Sequence, residues 1–130
     1  MDPPTRILLV DDEADIREMA HLVLDLELQH IPLEIIEASN GRDAVRACAE
    51  DLPRVVVLDL HMPDMSGLDV LRQVVELPEP PCVVAWSADP FALRRALSFG
   101  AKFALDKTTE VHALVDAIEA CLDQNRYAVD

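Results

Sequence analysis

The sequence predicts an α/β fold, a three-layer (βα)5 sandwich in which helices cover both faces of a five-stranded parallel sheet. Short apolar runs alternate with segments of helical periodicity along the whole chain. Uninterrupted apolar runs are typical of strands that are covered on both faces, and their alternation with helices favours right-handed crossovers. The 130 residues, 51% of them hydrophobic and only three of them glycine, suit one domain with its own core.

The first two strand–helix units occupy about fifty residues. The run ILLV at 7–10 predicts the first strand, and an amphipathic pattern over 14–28 predicts the helix that follows. Residues 33–37 are more polar, which favours an edge strand. A second helix is predicted over 41–51, and a proline follows each of these helices within a few residues.

The third unit contains the most apolar run of the chain. Residues 55–58 read VVVL and predict a central strand, which ends on Asp59. Ser66 can cap a third helix by accepting a hydrogen bond from a backbone N–H of its first turn. That helix must end before the prolines at 78–81.

The last two units complete the alternation. Residues 82–86 predict a fourth buried strand. Asp89, followed by a proline, predicts the start of a fourth helix, and Gly100 suits its left-handed end. A weak fifth strand at 103–105 precedes a helix predicted from about Thr109 to Asp123.

The charge of the chain excludes some partners. There are 11 Lys and Arg against 25 Asp and Glu, a net charge of −14. Such a field repels nucleic-acid phosphates and anionic lipid headgroups, so neither direct nucleic-acid binding nor membrane binding is expected. The amino terminus lacks the pattern of a signal peptide, and no uncharged apolar stretch is long enough to span a membrane. We therefore expect a cytoplasmic protein.

The three cysteines are predicted to be buried free thiols. Cys48, Cys82 and Cys121 are odd in number, widely spaced and set in apolar surroundings. No CxxC pair occurs, and nothing in the sequence supports a disulfide or a reactive thiol, although neither is excluded.

Polar residues follow four of the predicted strands: Asp11, Asp12, Asp59, Ser87 and Lys107. Each alone could be a cap, a turn residue or a surface residue. Together they should converge, because the carboxyl ends of parallel strands form one edge of the sheet. Two carboxylates about 4 Å apart repel by roughly 1–4 kcal/mol, so a shared proton or a hard divalent cation is needed. Carboxylates without a nearby His or Cys cluster favour Mg²⁺.

Several motifs in this order make the sequence resemble the response-regulator receiver domain of two-component signalling. They are ILLVDDE at 7–13, VVVLDLHMPDMSG at 55–67, AWSA at 85–88, GAKF at 100–103, and Lys107. The resemblance covers essentially the whole chain. It implies a flavodoxin-like sheet of order 2-1-3-4-5 and a single receiver domain over 1–130, with its core at about 5–124 and a tail or linker start at 125–130.

The resemblance also implies roles for the residues at the strand ends. Asp59 would accept a phosphoryl group from the phosphohistidine of a sensor histidine kinase or phosphotransfer protein, and Ser87 and Lys107 would bind that group. Mg²⁺, or Mn²⁺ as a substitute, would be held by Asp11, Asp12, Asp59 and the backbone carbonyl of His61. His61 and Asp89 stand at positions that tune hydrolysis of the acyl phosphate.

Two departures from the family pattern keep alternatives open. Thr108 replaces the proline that usually follows the lysine, and Ala104 stands where an aromatic switch residue is usual. Phe103, one residue earlier, should point to the opposite face of the sheet and pack there. A receiver-like docking module with degenerate switching is one alternative.

A second alternative is a phosphatase of the haloacid-dehalogenase type, although His61 stands where its second aspartate would be required. The output partner or domain is not identified by the sequence. The fourth and fifth helices offer faces for a homodimer, but no residue requires one.

Overall fold

Five parallel strands form the centre of the molecule in the computed structural model, which describes residues 3–108 and 111–127. The strands are β1 (Thr5–Val10), β2 (Leu33–Ala38), β3 (Val55–Asp59), β4 (Cys82–Ser87) and β5 (Phe103–Asp106). Their order in the sheet is β2-β1-β3-β4-β5, and every neighbouring pair is parallel. The predicted fold class and strand order are confirmed.

A helix follows each strand. The helices are α1 (Ala14–Glu27), α2 (Gly41–Asp51), α3 (Gly67–Val74), α4 (Pro90–Ser98) and α5 (Val111–Tyr127). The predicted start of the last helix at Thr109 lies outside the described residues, as do residues 128–130 of the predicted tail. Residues 125–127 continue α5.

Side-chain caps begin two of the helices as predicted. Ser66 Oγ accepts a hydrogen bond from Leu68 N–H at 3.1 Å, and Asp89 Oδ1 accepts from Phe91 N–H at 3.0 Å. Each cap satisfies a backbone donor that the first helical turn would otherwise leave unpaired. Gly100 follows α4 with φ +115°, a conformation that L side chains rarely adopt, so the predicted left-handed stop is also confirmed.

The core lies on both faces of the sheet. Leu8, Val56 and Leu58 are buried on the face covered by α2, α3 and α4, whereas Ile7 and Val57 are buried on the face covered by α1 and α5. The side chains alternate because successive residues of a strand point to opposite faces. Every residue of β3 is buried, as predicted for the central strand.

The prediction of three free thiols is wrong for two of the cysteines. Cys82, the first residue of β4, forms a disulfide with Cys121 in α5, and their Cα atoms lie 5.9 Å apart. Thirty-nine positions separate them in sequence, and only the packing of α5 on the sheet brings them together. Cys48 is free and buried as predicted, and burial raises the pKa of its thiol to about 12.

The departures from the family pattern near β5 have a simple structural outcome. Phe103 packs on the face of α1 and α5, and Ala104 packs on the opposite face, as the strand alternation predicts. Among the described residues every peptide bond is trans, which includes the bond between Lys107 and Thr108. In the same part of the chain, no helix combines the length and apolarity needed to cross a membrane.

Candidate functional site at the carboxyl ends of the strands

Three carboxylates meet where the neighbouring strands β1 and β3 end. Asp11 and Asp12 follow β1, and Asp59 is the last residue of β3. Each offers a carboxylate oxygen, and these atoms all lie within 4.8 Å of one another. Asp11 and Asp59 are only 3% and 4% exposed, whereas Asp12 is exposed to solvent. The structure therefore brings together the acidic residues that the sequence singled out.

Backbone and side-chain donors hold Asp11 in place. Its Oδ1 accepts a hydrogen bond from Glu13 N–H at 2.9 Å, and its Oδ2 accepts one from Lys107 Nζ at 2.7 Å. The guanidinium of Arg17 donates to the backbone carbonyl of Asp11 at 2.6 Å, a contact that the sequence did not indicate. These bonds fix the turn after β1 and give both buried carboxylate oxygens of Asp11 a hydrogen-bond partner.

Burial and hydrogen bonding shift the pKa of Asp59 in opposite directions. Burial raises the pKa of its carboxyl group. The backbone N–H of His61, which donates to Oδ1 at 3.1 Å, opposes this rise, while the negative charge of Asp11 adds to it. The net pKa of Asp59 is above its usual range, so its carboxylate is poorly stabilised without a further cation.

Lys107 supplies the positive charge of the site. Its Nζ lies 2.7 Å from Asp11 Oδ2 and 3.4 Å from Asp59 Oδ1. Burial lowers the pKa of Lys107, but the hydrogen bond to Asp11 and the charge of Asp59 outweigh burial and leave the pKa raised. The ammonium also lies 5.5 Å from the centre of the Trp86 ring, at a distance suited to a cation–π contact.

Ser87 ends β4 beside Asp59, because the two strands pair in parallel with Asp59 opposite Trp86. The backbone carbonyl of Ser87 accepts a hydrogen bond from Lys107 N–H at 3.1 Å, and this bond positions the lysine without a proline after it. Ser87 is buried, and its Oγ accepts from Asp89 N–H at 3.1 Å. The hydroxyl proton therefore remains available to donate to another group.

A side-chain contact joins the loops that follow β3 and β4. His61 Nε2 lies within hydrogen-bond distance of Asp89 Oδ2, at 3.0 Å, and the His61 side chain is exposed whereas that of Asp89 is partly exposed. The pKa of Asp89 lies below its usual range. The largest cause is the hydrogen bond from Ala92 N–H, and the imidazole of His61 and the N–H of Phe91 lower the pKa further. His61 lies two positions after Asp59, and Asp89 lies two positions after Ser87. The contact therefore connects the residues that follow two buried polar groups of the site.

The residues present fit a hard divalent cation. Mg²⁺ is bound by oxygen atoms and keeps several waters, so it requires only a few protein ligands. Asp11, Asp12 and Asp59 provide such oxygens, and the exposed position of Asp12 allows a hydrated ion to approach. No histidine or cysteine belongs to this group among the described residues, which argues against a softer metal.

Two residues that support the site were not expected from the sequence. Both carboxylate oxygens of Asp64 accept backbone hydrogen bonds from the start of α2, at 3.0 Å from Gly41 N–H and 3.3 Å from Arg42 N–H. These bonds, that of Gly41 first, hold the pKa of Asp64 below its usual range. Asp64 thus ties the loop after Asp59 to α2.

Gly67 is the second support. A Cβ atom at this position would lie 2.2 Å from the backbone oxygen of Asp59 and 2.5 Å from the Cα atom of Leu60. Its own N–H donates to the carbonyl of Leu60 at 3.1 Å. The first turn of α3 can therefore pack directly on the end of β3 only because this residue has no side chain.

Comparison with known proteins identifies the family. The family model described as "response regulator receiver domain" matches residues 7–119. The chain belongs to this family. The receiver domain is 31% identical to the transcriptional regulatory protein YdfI of Bacillus subtilis over 92% of this chain, and 33% identical to the transcriptional regulatory protein KdpE of Mycobacterium tuberculosis over 97%.

These relatives are longer than the receiver domain. The chain spans 56% of YdfI and 54% of KdpE, about half the length of each. A solved structure of a LuxR-family two-component response regulator from Aurantimonas is 28% identical, with a TM-score of 0.82 and coverage of 94% of this chain and 87% of that one. A CheY-like receiver domain from Methanospirillum hungatei, only 20% identical, shares the fold with a TM-score of 0.86 and covers 97% of this chain and 99% of that one.

Proposed function

We propose that the receiver domain is a phosphoacceptor switch of a two-component phosphorelay and that Asp59 is the residue that becomes phosphorylated. One observation carries this proposal. Asp59 is a nearly buried carboxylate at the end of the central strand, and its oxygen lies within 4.8 Å of two other carboxylates and 3.4 Å from the ammonium of Lys107. A nucleophilic carboxylate next to cationic groups is what phosphoryl transfer requires.

The proposed reaction is an in-line displacement at phosphorus. A carboxylate oxygen of Asp59 forms a bond to the phosphorus atom of a phosphohistidine, and the P–N bond breaks with its electron pair returning to the imidazole. Lys107 lies on one side of Asp59 and offsets negative charge on the phosphoryl oxygens. The N–H of His61 keeps the carboxylate oriented during the displacement.

We assign four groups to Mg²⁺, with Mn²⁺ as a substitute: the carboxylates of Asp11, Asp12 and Asp59 and the backbone carbonyl of His61. When bound, the ion supplies positive charge that screens the phosphoryl oxygens and the acidic residues from one another. The protein's own part is to hold three carboxylates in one place at the sheet edge.

Phosphorylation adds charge and acceptor oxygens at the end of β3. Ser87 Oγ can donate to one of these oxygens and Lys107 to another, so both are drawn towards Asp59. We expect β4, α4 and β5 to repack in response, which is the two-state element of the switch. Ala104 has no ring to rotate. We therefore expect this repacking to depend on Ser87 and on the hydrogen bond that Lys107 N–H donates to the carbonyl of Ser87.

The proposed donor is a sensor histidine kinase or phosphotransfer protein. The two relatives named above are called transcriptional regulatory proteins and are about twice as long as this chain. By analogy, we propose that the receiver domain controls an output partner or an attached output domain. The net charge of −14 makes this domain itself unsuited to bind DNA.

Metal dependence tests the proposal. With a small phosphodonor such as acetyl phosphate, Mg²⁺ should allow the protein to gain one phosphoryl group, and removal of the metal with a chelator should slow this gain by about 100-fold or more. The expected loss follows from the several kcal/mol that a metal contributes to charge stabilisation. Intact-protein mass spectrometry measures the gain directly.

The outcomes separate the three candidate functions. Stoichiometric, metal-dependent labelling supports the phosphoacceptor switch. Repeated turnover of a generic phosphate ester would instead favour a phosphatase. The absence of any labelling, with or without Mg²⁺, would favour a domain that serves only for docking.

The His61–Asp89 pair is proposed to modulate the lifetime of the acyl phosphate. The pair links the two loops beside Asp59 and Ser87, so it restricts the approach of water. We expect His61→Ala to speed hydrolysis by up to about fivefold, since a contact between solvent-accessible side chains has only a small effect. Decay of the labelled protein, followed by mass spectrometry after removal of the donor, gives the rate.

Asp89→Asn is the matched variant for this prediction. Asparagine keeps the helix cap that Asp89 provides to α4 but removes the charge that pairs with His61. The two variants should therefore behave alike. Hydrolysis that is unchanged in both would show that the contact between His61 and Asp89 does not have this role.

A further inference from the structure

We infer that Cys82 and Cys121 form a reversible dithiol–disulfide site, and that its oxidised form fixes α5 to the start of β4. This proposal does not depend on phosphorylation of Asp59. The two Cα atoms are 5.9 Å apart, which is within the range that disulfides favour. The site lies at the opposite end of β4 from Ser87, a distance of about 16 Å along the strand.

A small thiol can reach the bond from solvent. Both cysteines line an open surface cavity of about 390 Å³ at the amino-terminal end of β4. Cys82 is only partly buried, whereas Cys121 is 1% exposed, so Cys82 is the more accessible of the two residues. The charged side chains in the described lining of the cavity are Arg54, Lys102 and Glu79. Their local excess of positive charge, on a strongly acidic protein, favours thiolates and anionic thiols.

The two cysteines remain close to each other when the bond is broken. Cys82 pairs with Val55 in the sheet, and its N–H donates to the carbonyl of Arg54 at 2.9 Å. Cys121 lies on the face of α5 that also buries Leu114 and Ile118. The sheet pairing of Cys82 and the packing of Leu114 and Ile118 do not depend on the S–S bond, so reduction leaves both thiols in position to form the bond again.

The third cysteine cannot compete for either partner. Cys48 belongs to the core on the face of α2, α3 and α4, whereas Cys121 belongs to the core on the other face of the sheet. The sheet therefore separates Cys48 from the pair. The pairing is thus set by the fold, which is required if the bond is to open and close repeatedly.

The chemistry is thiol–disulfide exchange with a low-molecular-weight thiol such as glutathione. A glutathione thiolate attacks the sulfur of Cys82, and the bond to Cys121 breaks with its electron pair leaving as the Cys121 thiolate. A second glutathione attacks the mixed disulfide and releases Cys82. In total, two glutathione thiols become one glutathione disulfide, and the two cysteines gain two electrons and two protons. Glutathione disulfide reverses each step.

The closed bond encloses a defined part of the fold. The loop from Cys82 to Cys121 contains β4, α4 and β5, and with them Ser87 and Lys107. Closing a loop of this length restricts the unfolded chain and stabilises the folded one. The oxidised form should therefore be the more stable form, with α5 held against the sheet near its last turns.

The experiment equilibrates the folded protein in buffers of varied glutathione to glutathione disulfide ratio, traps thiols with an alkylating reagent, and counts them by mass spectrometry. We expect one reversible transition in which Cys82 and Cys121 gain or lose the label together. The reduced form should melt about 10 °C lower than the oxidised form. If both cysteines stay alkylatable at every ratio, or if the bond opens only in denaturant, the proposal is overturned.

Variants complete the test. Cys82→Ser and Cys121→Ala should each lose the two-electron transition and melt near the reduced wild-type protein in every buffer. Cys48→Ala is the matched control and should keep both the transition and the difference in melting temperature. Equal melting temperatures of the oxidised and reduced wild-type protein would contradict the role of the bond in fixing α5.

Discussion

Asp59→Asn is expected to abolish phosphorylation by acetyl phosphate in Mg²⁺, with a loss of at least about 1,000-fold in the rate of labelling. An amide oxygen is a poor nucleophile, and removal of a nucleophile usually costs more than any other single change at a site of covalent catalysis. Intact-protein mass spectrometry at several times after mixing measures the loss. Labelling of the variant at the wild-type rate would exclude Asp59 as the acceptor.

The thermal stability of Asp59→Asn shows whether a loss of labelling comes from the missing nucleophile or from unfolding of the protein. Burial raises the pKa of Asp59, so its ionised form is less stable in the folded protein than in the unfolded one, and this penalty grows as the pH rises through the folded pKa. Asparagine carries no such charge. In metal-free buffer at neutral pH, Asp59→Asn should therefore melt no lower than the wild-type protein. Asp116→Asn is the matched control for labelling, because Asp116 is exposed on α5 and lies outside the acidic cluster.

Gly67→Ala is expected to destabilise the receiver domain by about 3 kcal/mol or more and to impair labelling of Asp59 as well. Elsewhere in a helix this substitution is favourable by up to about 1 kcal/mol. Here the added Cβ would lie 2.2 Å from the backbone oxygen of Asp59, and backbone atoms of the central strand cannot move aside easily. Thermal or urea unfolding followed by circular dichroism measures the change.

Gly41→Ala provides the control for this prediction. A Cβ atom at Gly41 would lie 2.7 Å from the Cβ atom of Met65, which is fixed close to the backbone, so the loop that carries Met65 must shift. That loop lies outside the sheet, whereas the Cβ of Gly67→Ala would meet the backbone of the central strand. Gly41 also begins a helix, as Gly67 does, so the two variants share the change in helix propensity. We expect Gly41→Ala to destabilise the receiver domain less than Gly67→Ala does. Similar stability of the two variants would show that contact with β3 does not decide the role of Gly67.

The sequence predicted the fold well because its signals were local. The apolar runs gave all five strands to within two residues at each end, and the caps at Ser66 and Asp89 gave the starts of α3 and α4. Parallel topology then placed the polar residues at one edge of the sheet. Proximity of Asp11, Asp59 and Lys107 therefore followed from strand order alone.

Contacts between distant segments were harder to predict. The disulfide was missed because apolar surroundings suit a buried thiol as well as half of a disulfide, and periodicity does not give the rotation of α5 on the sheet. The bond from Asp64 to the start of α2 was missed because the residue is one of many acidic loop residues.

The ammonium of Lys107 has a consequence for how the acidic cluster is held. Three carboxyl groups surround a single ammonium at this end of the sheet, so acidic groups outnumber the basic one. The lysine thus acts as an internal counterion that contacts both buried carboxylates, Asp11 and Asp59. The position of these carboxylates is therefore held by a side chain from the far end of the sheet, so that β1, β3 and β5 are joined at one point.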